Sequence, residues 1–160
     1  MNLKDLQKEI PCKWRVQSFS KNKPSAQCIA YIDARDVMDL LDEVVGVDKW
    51  QDDYKFIEDG KDKNGDNKYR VMAGLGIKCG DEWVWKWDTG TESQTEGEKG
   101  QVSDAFKRAG VKWGIGRFLY SLGIKYVPAN EVKTSSNYPY PVDNTGKRIW
   151  DLTEYINNLK

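Results

Sequence analysis

One tripeptide in the chain, Asp88-Thr89-Gly90, has the composition of a catalytic site. In retroviral-type aspartic proteases this tripeptide carries the catalytic carboxylate, and two copies meet in a dimer so that two carboxylates share one proton. Here Lys86 stands two positions before Asp88, so on a strand both side chains lie on the same face. Because a lysine on the same face does not suit two carboxylates that share one proton, we interpret the tripeptide as a strand end and turn without a catalytic role.

The composition excludes further kinds of chemistry. The 160 residues contain no histidine, which removes Ser-His-Asp and Cys-His catalysis, the common zinc sites and the usual general base. Cys12, Cys28 and Cys79 are far apart, and we expect reduced, mostly buried thiols of a cytoplasmic protein. A hydrolase that uses Asp88, Glu92 and Glu96 with a divalent metal is an alternative, but no ordered ligand spacing supports it. We therefore expect no enzyme, no cofactor, no metal and no membrane partner.

The periodicity of apolar residues predicts an α+β domain with an antiparallel three-stranded meander. A helix over 34–45 follows the N-cap residue Asp33 and ends before Gly46. The meander has strands at 50–57, 68–79 and 82–88, and a long helix from 99 to about 113 follows a polar loop at 89–100. The other predicted segments are a short helix at 2–9, a strand at 13–19, a loop at 21–26, a linker at 135–148 and a terminal helical segment at 149–159.

Aromatic residues are concentrated in the meander and the long helix. Strand alternation places Trp83, Trp85 and Trp87 on one face, and Trp113 lies on an apolar helical stripe with Val102, Ala105, Phe106 and Ala109. These tryptophans either pack in the core or stack on bases, and the first interpretation is the more ordinary one.

The formal net charge is zero, but the charges are segregated along the chain. Residues 33–59 contain ten acidic and three basic side chains, whereas residues 99–125 contain six basic side chains and one acidic side chain, Asp104. The second segment is either a solvated helix face or a surface for a polyanion. Lys107, Arg108 and Lys112 flank the apolar stripe of the predicted helix, so they are able to contact consecutive phosphates.

Three sequence blocks resemble the Rad52 family of single-strand DNA annealing proteins, in its phage (Sak-like) branch. They are AYIDARDVMDLLDEVVGVDKWQ, WDTGTES and VSDAFKRAGVKWGIGRFLY, which together span about residues 29–122. The resemblance implies a β-β-β-α core that assembles into rings or helical filaments. A cationic groove in such an assembly holds single-stranded DNA with the bases exposed, and no nucleotide is hydrolysed.

The resemblance also implies which residues bind DNA. The groove cations of the long helix correspond to Lys107 and Arg108. A basic residue near the start of the first helix corresponds to Arg35 with an offset of one position, since Asp36 occupies the strict position. Further expected DNA contacts are Lys112, Lys99, Arg117 and Lys86.

This interpretation predicts an annealing domain at 1–134 and a linker with a short C-terminal segment at 135–160. The expected partners are single-stranded DNA, further copies of the chain, and a phage exonuclease or single-strand binding protein in a bacterial host cell. Recruitment of a recombinase is not expected. A single-stranded DNA-binding module without annealing activity and a metal-dependent nuclease are the alternatives.

Overall fold

A computed structural model describes residues 1–20, 23–90, 97–131 and 139–159, without the side chains of 97–99. The described elements are a 3-10 helix (Leu3–Gln7), β1 (Lys13–Ser20), β2 (Ser25–Tyr31), α1 (Ala34–Val44), β3 (Trp50–Lys61), β4 (Asn67–Cys79), β5 (Glu82–Thr89), α2 (Gly97–Lys112), α3 (Leu119–Leu122), β6 (Lys125–Pro128) and α4 (Leu152–Asn157). The predicted α+β class is confirmed.

The chain forms two compact units. The first contains Met1–Ile10 and Asp33–Phe118, and the second contains Pro11–Ile32 and Leu119–Lys160. The predicted domain boundary between residues 134 and 135 lies outside the described residues, so that division stays a prediction.

The first unit contains the antiparallel meander, in the order β3-β4-β5, as predicted. The register places Ala73 opposite both Tyr54 and Asp88, so odd-numbered β4 residues share one face with even-numbered residues of β3 and β5. The β4 residues Val71, Ala73, Leu75 and Ile77 are buried on this face. The helix α2 packs on this face. Trp113 directly follows α2, and its indole donates to the Leu75 carbonyl of β4 at 3.0 Å.

The helix α1 begins at the predicted residue and ends at Val44, one residue before the predicted end. The Asp33 carboxylate accepts from the Asp36 amide at 3.0 Å, and the Asp36 carboxylate accepts from the Asp33 amide at 2.9 Å, so the two residues form a capping box. After the helix, Gly46 has a φ of 99°, which is a conformation that favours glycine. The amphipathic pattern and the two end signals therefore predicted this element correctly.

The second unit contains a sheet that was not predicted, in the order β1-β2-β6. Residues 21–26 were predicted as a loop, but β2 begins at Ser25, and β6 was not foreseen. One face of this sheet carries a core formed by Trp14, Ala26, Cys28, Val127 and Ile156. The predicted C-terminal helix is confirmed as α4, whose Asn157 side chain accepts from the Trp14 indole at 3.2 Å.

No helix in the described parts of the chain is long and apolar enough to cross a membrane. The three cysteines are free thiols; Cys28 is buried, whereas Cys12 and Cys79 are half-buried. Burial raises the pKa of the Cys28 thiol, so the neutral form is favoured there.

Candidate nucleic-acid interface

The helix α2 supports the cations that the sequence singled out. Its buried side includes Gln101, Ala105, Phe106 and Ala109, and the ring centroids of Phe106 and Trp50 on β3 are 6.2 Å apart. The predicted stripe began at Val102, but Val102 is half-buried and Gln101 takes the buried position one residue earlier. Since α2 packs on both β4 and β5, the side chains on its outer surface project from a rigid support.

Lys107 and Arg108, which we call the mid-helix pair, lie on this outer surface. Lys107 is half-buried and Arg108 is exposed. The Arg108 guanidinium pairs with the Asp104 carboxylate one turn earlier, at 2.9 Å. Such an exposed i,i+4 pair contributes only about 0.3–0.5 kcal/mol, so a phosphate is able to replace the carboxylate at small cost.

Within the described residues, the Lys107 ammonium group has no hydrogen-bond or ion-pair partner. A lysine stem that is half-buried against a helix surface, with its charged end in solvent, is a common arrangement. The mid-helix pair thus places two cationic side chains at adjacent positions on the outer surface of α2, one of them paired with Asp104.

Three other predicted DNA contacts, Lys86, Lys112 and Arg117, form a second group that we call the C-terminal group. Arg117 donates to the Val111 carbonyl at 2.8 Å and to the Lys112 carbonyl at 3.0 Å. These carbonyls belong to the last turn of α2, at the negative end of the helix dipole, and the Val111 carbonyl also accepts from the Gly114 amide at 2.9 Å. Arg117 therefore caps α2.

The two lysines of the C-terminal group also bind carbonyl oxygens. Lys86 on β5 donates to the Lys112 carbonyl at 3.2 Å, and its ammonium group lies 4.4 Å from the centre of the Trp113 ring. The Lys112 ammonium group in turn donates to the Trp87 carbonyl on β5. The two lysines thereby link the end of α2 to β5, which is a structural function that the sequence pattern did not indicate.

The remaining predicted contacts are Arg35 and Lys99. Arg35 is exposed in the first turn of α1, and in the described parts of the chain no hydrogen bond or ion pair joins it to the mid-helix pair. The backbone of Lys99 lies in α2, but its side chain lies outside the described residues. The predicted DNA contacts thus form two separate groups in the structure. One is the C-terminal group, and the other is the mid-helix pair.

The Asp88-Thr89-Gly90 tripeptide ends β5 under α2. A Cβ on Gly90 would lie 2.3 Å from the Gln101 carbonyl oxygen and 2.9 Å from the Ala105 amide nitrogen, so no larger residue fits there. The Gln101 side chain accepts from the Val71 amide at 2.8 Å, while Gly90 donates to the Val71 carbonyl at 3.0 Å. The glycine is therefore explained by the close approach of strand and helix.

Gln101 was missed by the sequence reasoning. It is the only buried polar residue among those described, and it satisfies the amide of Val71 at the point where β5 ends. The one feature of the sequence that indicated a buried position for Gln101 was its place one turn before the small residue Ala105. Its role is structural, because its side chain is used inside the fold.

The tryptophans are divided between the two faces of the meander. Trp113 is buried against β4, as expected for a core residue. Core packing was the more ordinary interpretation for Trp83, Trp85 and Trp87 as well, but the register places these three on the face opposite α2, and Trp83 is 38% exposed. The core interpretation is thus wrong for Trp83, because β5 presents its odd-numbered residues to the face that α2 does not cover.

In the part of the chain that the structure describes, no group of three or more histidine, cysteine, aspartate or glutamate side chains could hold a metal ion. Asp88 accepts a hydrogen bond from the Thr89 amide at 2.7 Å. The other two carboxylates of the hydrolase alternative, Glu92 and Glu96, lie outside the described residues.

Residues 1–138 match the Rad52/22 family of double-strand break repair proteins, and the chain belongs to this family. It is 30% identical over 140 residues to the single-stranded DNA-binding protein DdrA of Deinococcus deserti, an alignment that covers 83% of this chain and 65% of that protein. It is 29% identical over 131 residues to DdrA of Deinococcus radiodurans, with 76% of this chain and 58% of that protein covered. The chain therefore aligns with less than two thirds of each relative. The family prediction is confirmed, and the phage branch stays a prediction.

Proposed function

We propose that this chain binds single-stranded DNA in DNA repair and anneals complementary strands without a nucleotide cofactor. Family membership and the names of the two DdrA relatives support the DNA-binding part. The observation that carries the proposal is the mid-helix pair, Lys107 and Arg108, which presents two adjacent cations from a helix packed on the meander.

The mid-helix pair contacts the sugar-phosphate backbone. Phosphate contacts position a strand without reading its sequence, so the base edges remain free to pair with a second strand. Neutralised phosphates also repel an incoming strand less strongly. Annealing then needs no fuel, because base pairing itself supplies the free energy.

Of the other predicted cations, those of the C-terminal group add to the positive potential at the end of α2 but already bind carbonyl oxygens. They contribute to DNA binding mainly at long range, whereas the mid-helix pair makes direct contact. Arg35 and Lys99 are further proposed contacts.

The protein acts as a homo-oligomer, as a ring or a filament. In the described first unit, β3 and β5 are both edge strands, and an edge strand offers unpaired backbone groups to another chain. Repeated copies at a fixed spacing make successive contacts effectively intramolecular, which multiplies a weak binding site. An assembly thus compensates for the small number of cations in one chain.

The proposal is tested by mixing two complementary oligonucleotides with the protein in EDTA and without nucleotide. We expect duplex to form faster than in protein-free buffer, while a pair of non-complementary strands of equal length gives no duplex signal. Protein that binds both strands without accelerating pairing would support the alternative of a binding module. Strand cleavage that appears only with magnesium would support the nuclease alternative.

The assembly is tested separately by mass photometry with and without single-stranded DNA. We expect species larger than the 18.4 kDa chain in both samples, with larger or more ordered species when DNA is present. A monomer as the sole species at micromolar concentration with DNA would contradict the oligomer and most of the annealing mechanism.

A further inference from the structure

The sheet of the first unit has a second face, opposite α2, which we call the tryptophan face. Its central residues are Trp85 and Trp87 of β5, Gly74 and Gly76 of β4, and Lys55 of β3. The register pairs Trp85 with Gly76 and Trp87 with Gly74, so each indole lies beside a residue without a side chain.

The two indoles lie flat on the backbone of β4. A Cβ on Gly76 would lie 2.7 Å from the Trp85 ring, and a Cβ on Gly74 would lie 2.7 Å from the Trp87 ring. The ring centroids of Trp85 and Trp87 are 5.8 Å apart, and their planes differ by 24°. The glycines therefore leave room for a nearly flat aromatic surface, which Trp83 extends along β5.

Cations accompany this aromatic surface. The Lys55 ammonium group lies 4.5 Å from the centre of the Trp87 ring, and Lys78 is paired in register with Trp83. Arg70 also lies on this face, where it pairs with Asp59 at 3.1 Å. Besides Asp59, the strands place one more acid on this face, Asp53, which is paired in register with Gly74. Flat indoles with ammonium groups beside them match the two parts of a nucleotide, its base and its phosphate.

We propose that bases of single-stranded DNA stack on the tryptophan face, as a contact separate from the phosphate grip of the mid-helix pair. The inference rests on the proposed function, since it assigns a second surface to the same ligand. Stacking on tryptophan tolerates any base, because every base has a π-face. A second copy of the chain is the less favoured occupant, because a two-fold contact would bring the same cationic face against itself.

The test compares two ligands of equal charge, an ordinary oligonucleotide and one whose nucleotides are abasic. The wild type is expected to bind the ordinary strand at least about tenfold more tightly than the abasic strand, because one stacked base contributes about that factor to the affinity. Trp85→Leu/Trp87→Leu should lose most of this ratio, whereas Trp85→Phe/Trp87→Phe should retain most of it. The Lys107→Ala/Arg108→Ala variant should bind both ligands more weakly with the ratio unchanged.

A crosslinking measurement on the wild type keeps the test independent of how the leucine variant folds. An oligonucleotide carrying 5-iodouracil is irradiated on the protein, and adducts are expected in the segment that contains Trp83–Trp87. Adducts confined to α2, or an unchanged ratio in a folded leucine variant, would overturn the proposal. A leucine variant with altered sedimentation and an unchanged ratio would assign the face to contacts between copies. A wild type that binds neither ligand would contradict the proposed function itself.

Discussion

Two groups of positive side chains accompany the same helix. The mid-helix pair, Lys107 and Arg108, projects from the outer surface of α2, where the half-buried Asp104 pairs with Arg108. The C-terminal group, Lys86, Lys112 and Arg117, binds carbonyl oxygens at the end of α2 and on β5. The chemistry of the charged ends is alike in the two groups, but their partners differ.

The difference shows that a cluster of cations along one helix is not a uniform surface. A cation that caps a helix lowers the free energy of the fold, and it must lose those bonds to bind a phosphate directly. A cation whose ion pair is exposed to solvent loses little when a phosphate replaces the carboxylate. The two groups are therefore expected to respond differently to substitution.

The largest effect is expected for Lys107→Ala/Arg108→Ala. Affinity for single-stranded DNA of any sequence should fall by roughly 10- to 100-fold at low salt, and the slope of log K against log salt should decrease by about 1.4, for two lost phosphate contacts. Fluorescence anisotropy titrations at several salt concentrations measure both quantities. The free energy of unfolding should stay within about 0.5 kcal/mol of the wild type.

Lys4→Ala/Lys63→Ala is the matched control, because both lysines are exposed and the same charge is removed. The control should show only a small general loss of affinity. An equal loss and an equal change of slope in the two double variants would mean that total charge decides the affinity, and the distinction between the groups would fail.

The next largest effect is expected for Arg117→Ala. The variant loses two hydrogen bonds to the last carbonyls of α2, so the free energy of unfolding should decrease by about 1–2 kcal/mol, with solvent exposure favouring the lower value. Urea unfolding followed by circular dichroism measures this change. Folded Arg117→Ala should bind DNA within about twofold of the wild type at moderate salt. Arg117→Lys keeps the charge but not the planar guanidinium group, so its stability should lie between that of the wild type and that of Arg117→Ala. A tenfold loss of affinity with full stability would place Arg117 among the direct DNA contacts.

A smaller effect is expected for Lys86→Met. This change keeps an unbranched stem but removes the ammonium group that lies over Trp113 and donates to the Lys112 carbonyl. The free energy of unfolding should decrease by about 0.5–1 kcal/mol, which is the contribution of a partly exposed cation–π contact. Lys68→Met on β4 is the exposed control and should leave stability unchanged. Equal stability of the two variants would show that Lys86 does not link α2 to β5.

The smallest effect is expected for Asp104→Ala. Loss of the exposed pair with Arg108 should cost no more than about 0.5 kcal/mol of stability. Removal of a negative charge beside the mid-helix pair should raise DNA affinity by about twofold at low salt, and less at high salt. Asp39→Ala, an exposed carboxylate on α1, is the control. A strong loss of binding in Asp104→Ala would mean that this carboxylate orients Arg108 for the phosphate.

The elements that local patterns describe were predicted best. The end signals of α1 and the alternation in β4 are properties of neighbouring residues, and both were observed where expected. The sheet of the second unit was missed because β6 has four residues and pairs with β2 about a hundred positions earlier, as Ala26 with Val127. A strand of four residues has too little alternation to be predicted from its own sequence, so its formation depends on pairing with β2.

The sequence by itself determined the order of charges along α2, the meander that supports this helix, and the family to which the chain belongs. Only the tertiary structure decided which cations bind carbonyl oxygens, because Lys86 reaches the end of α2 from a strand 26 positions away. It also decided that Gly90 must be glycine, since the Gln101 carbonyl occupies the space of a side chain. Hydrogen bonds and close approaches depend on distances in space, and such distances between remote residues arise only when the chain folds.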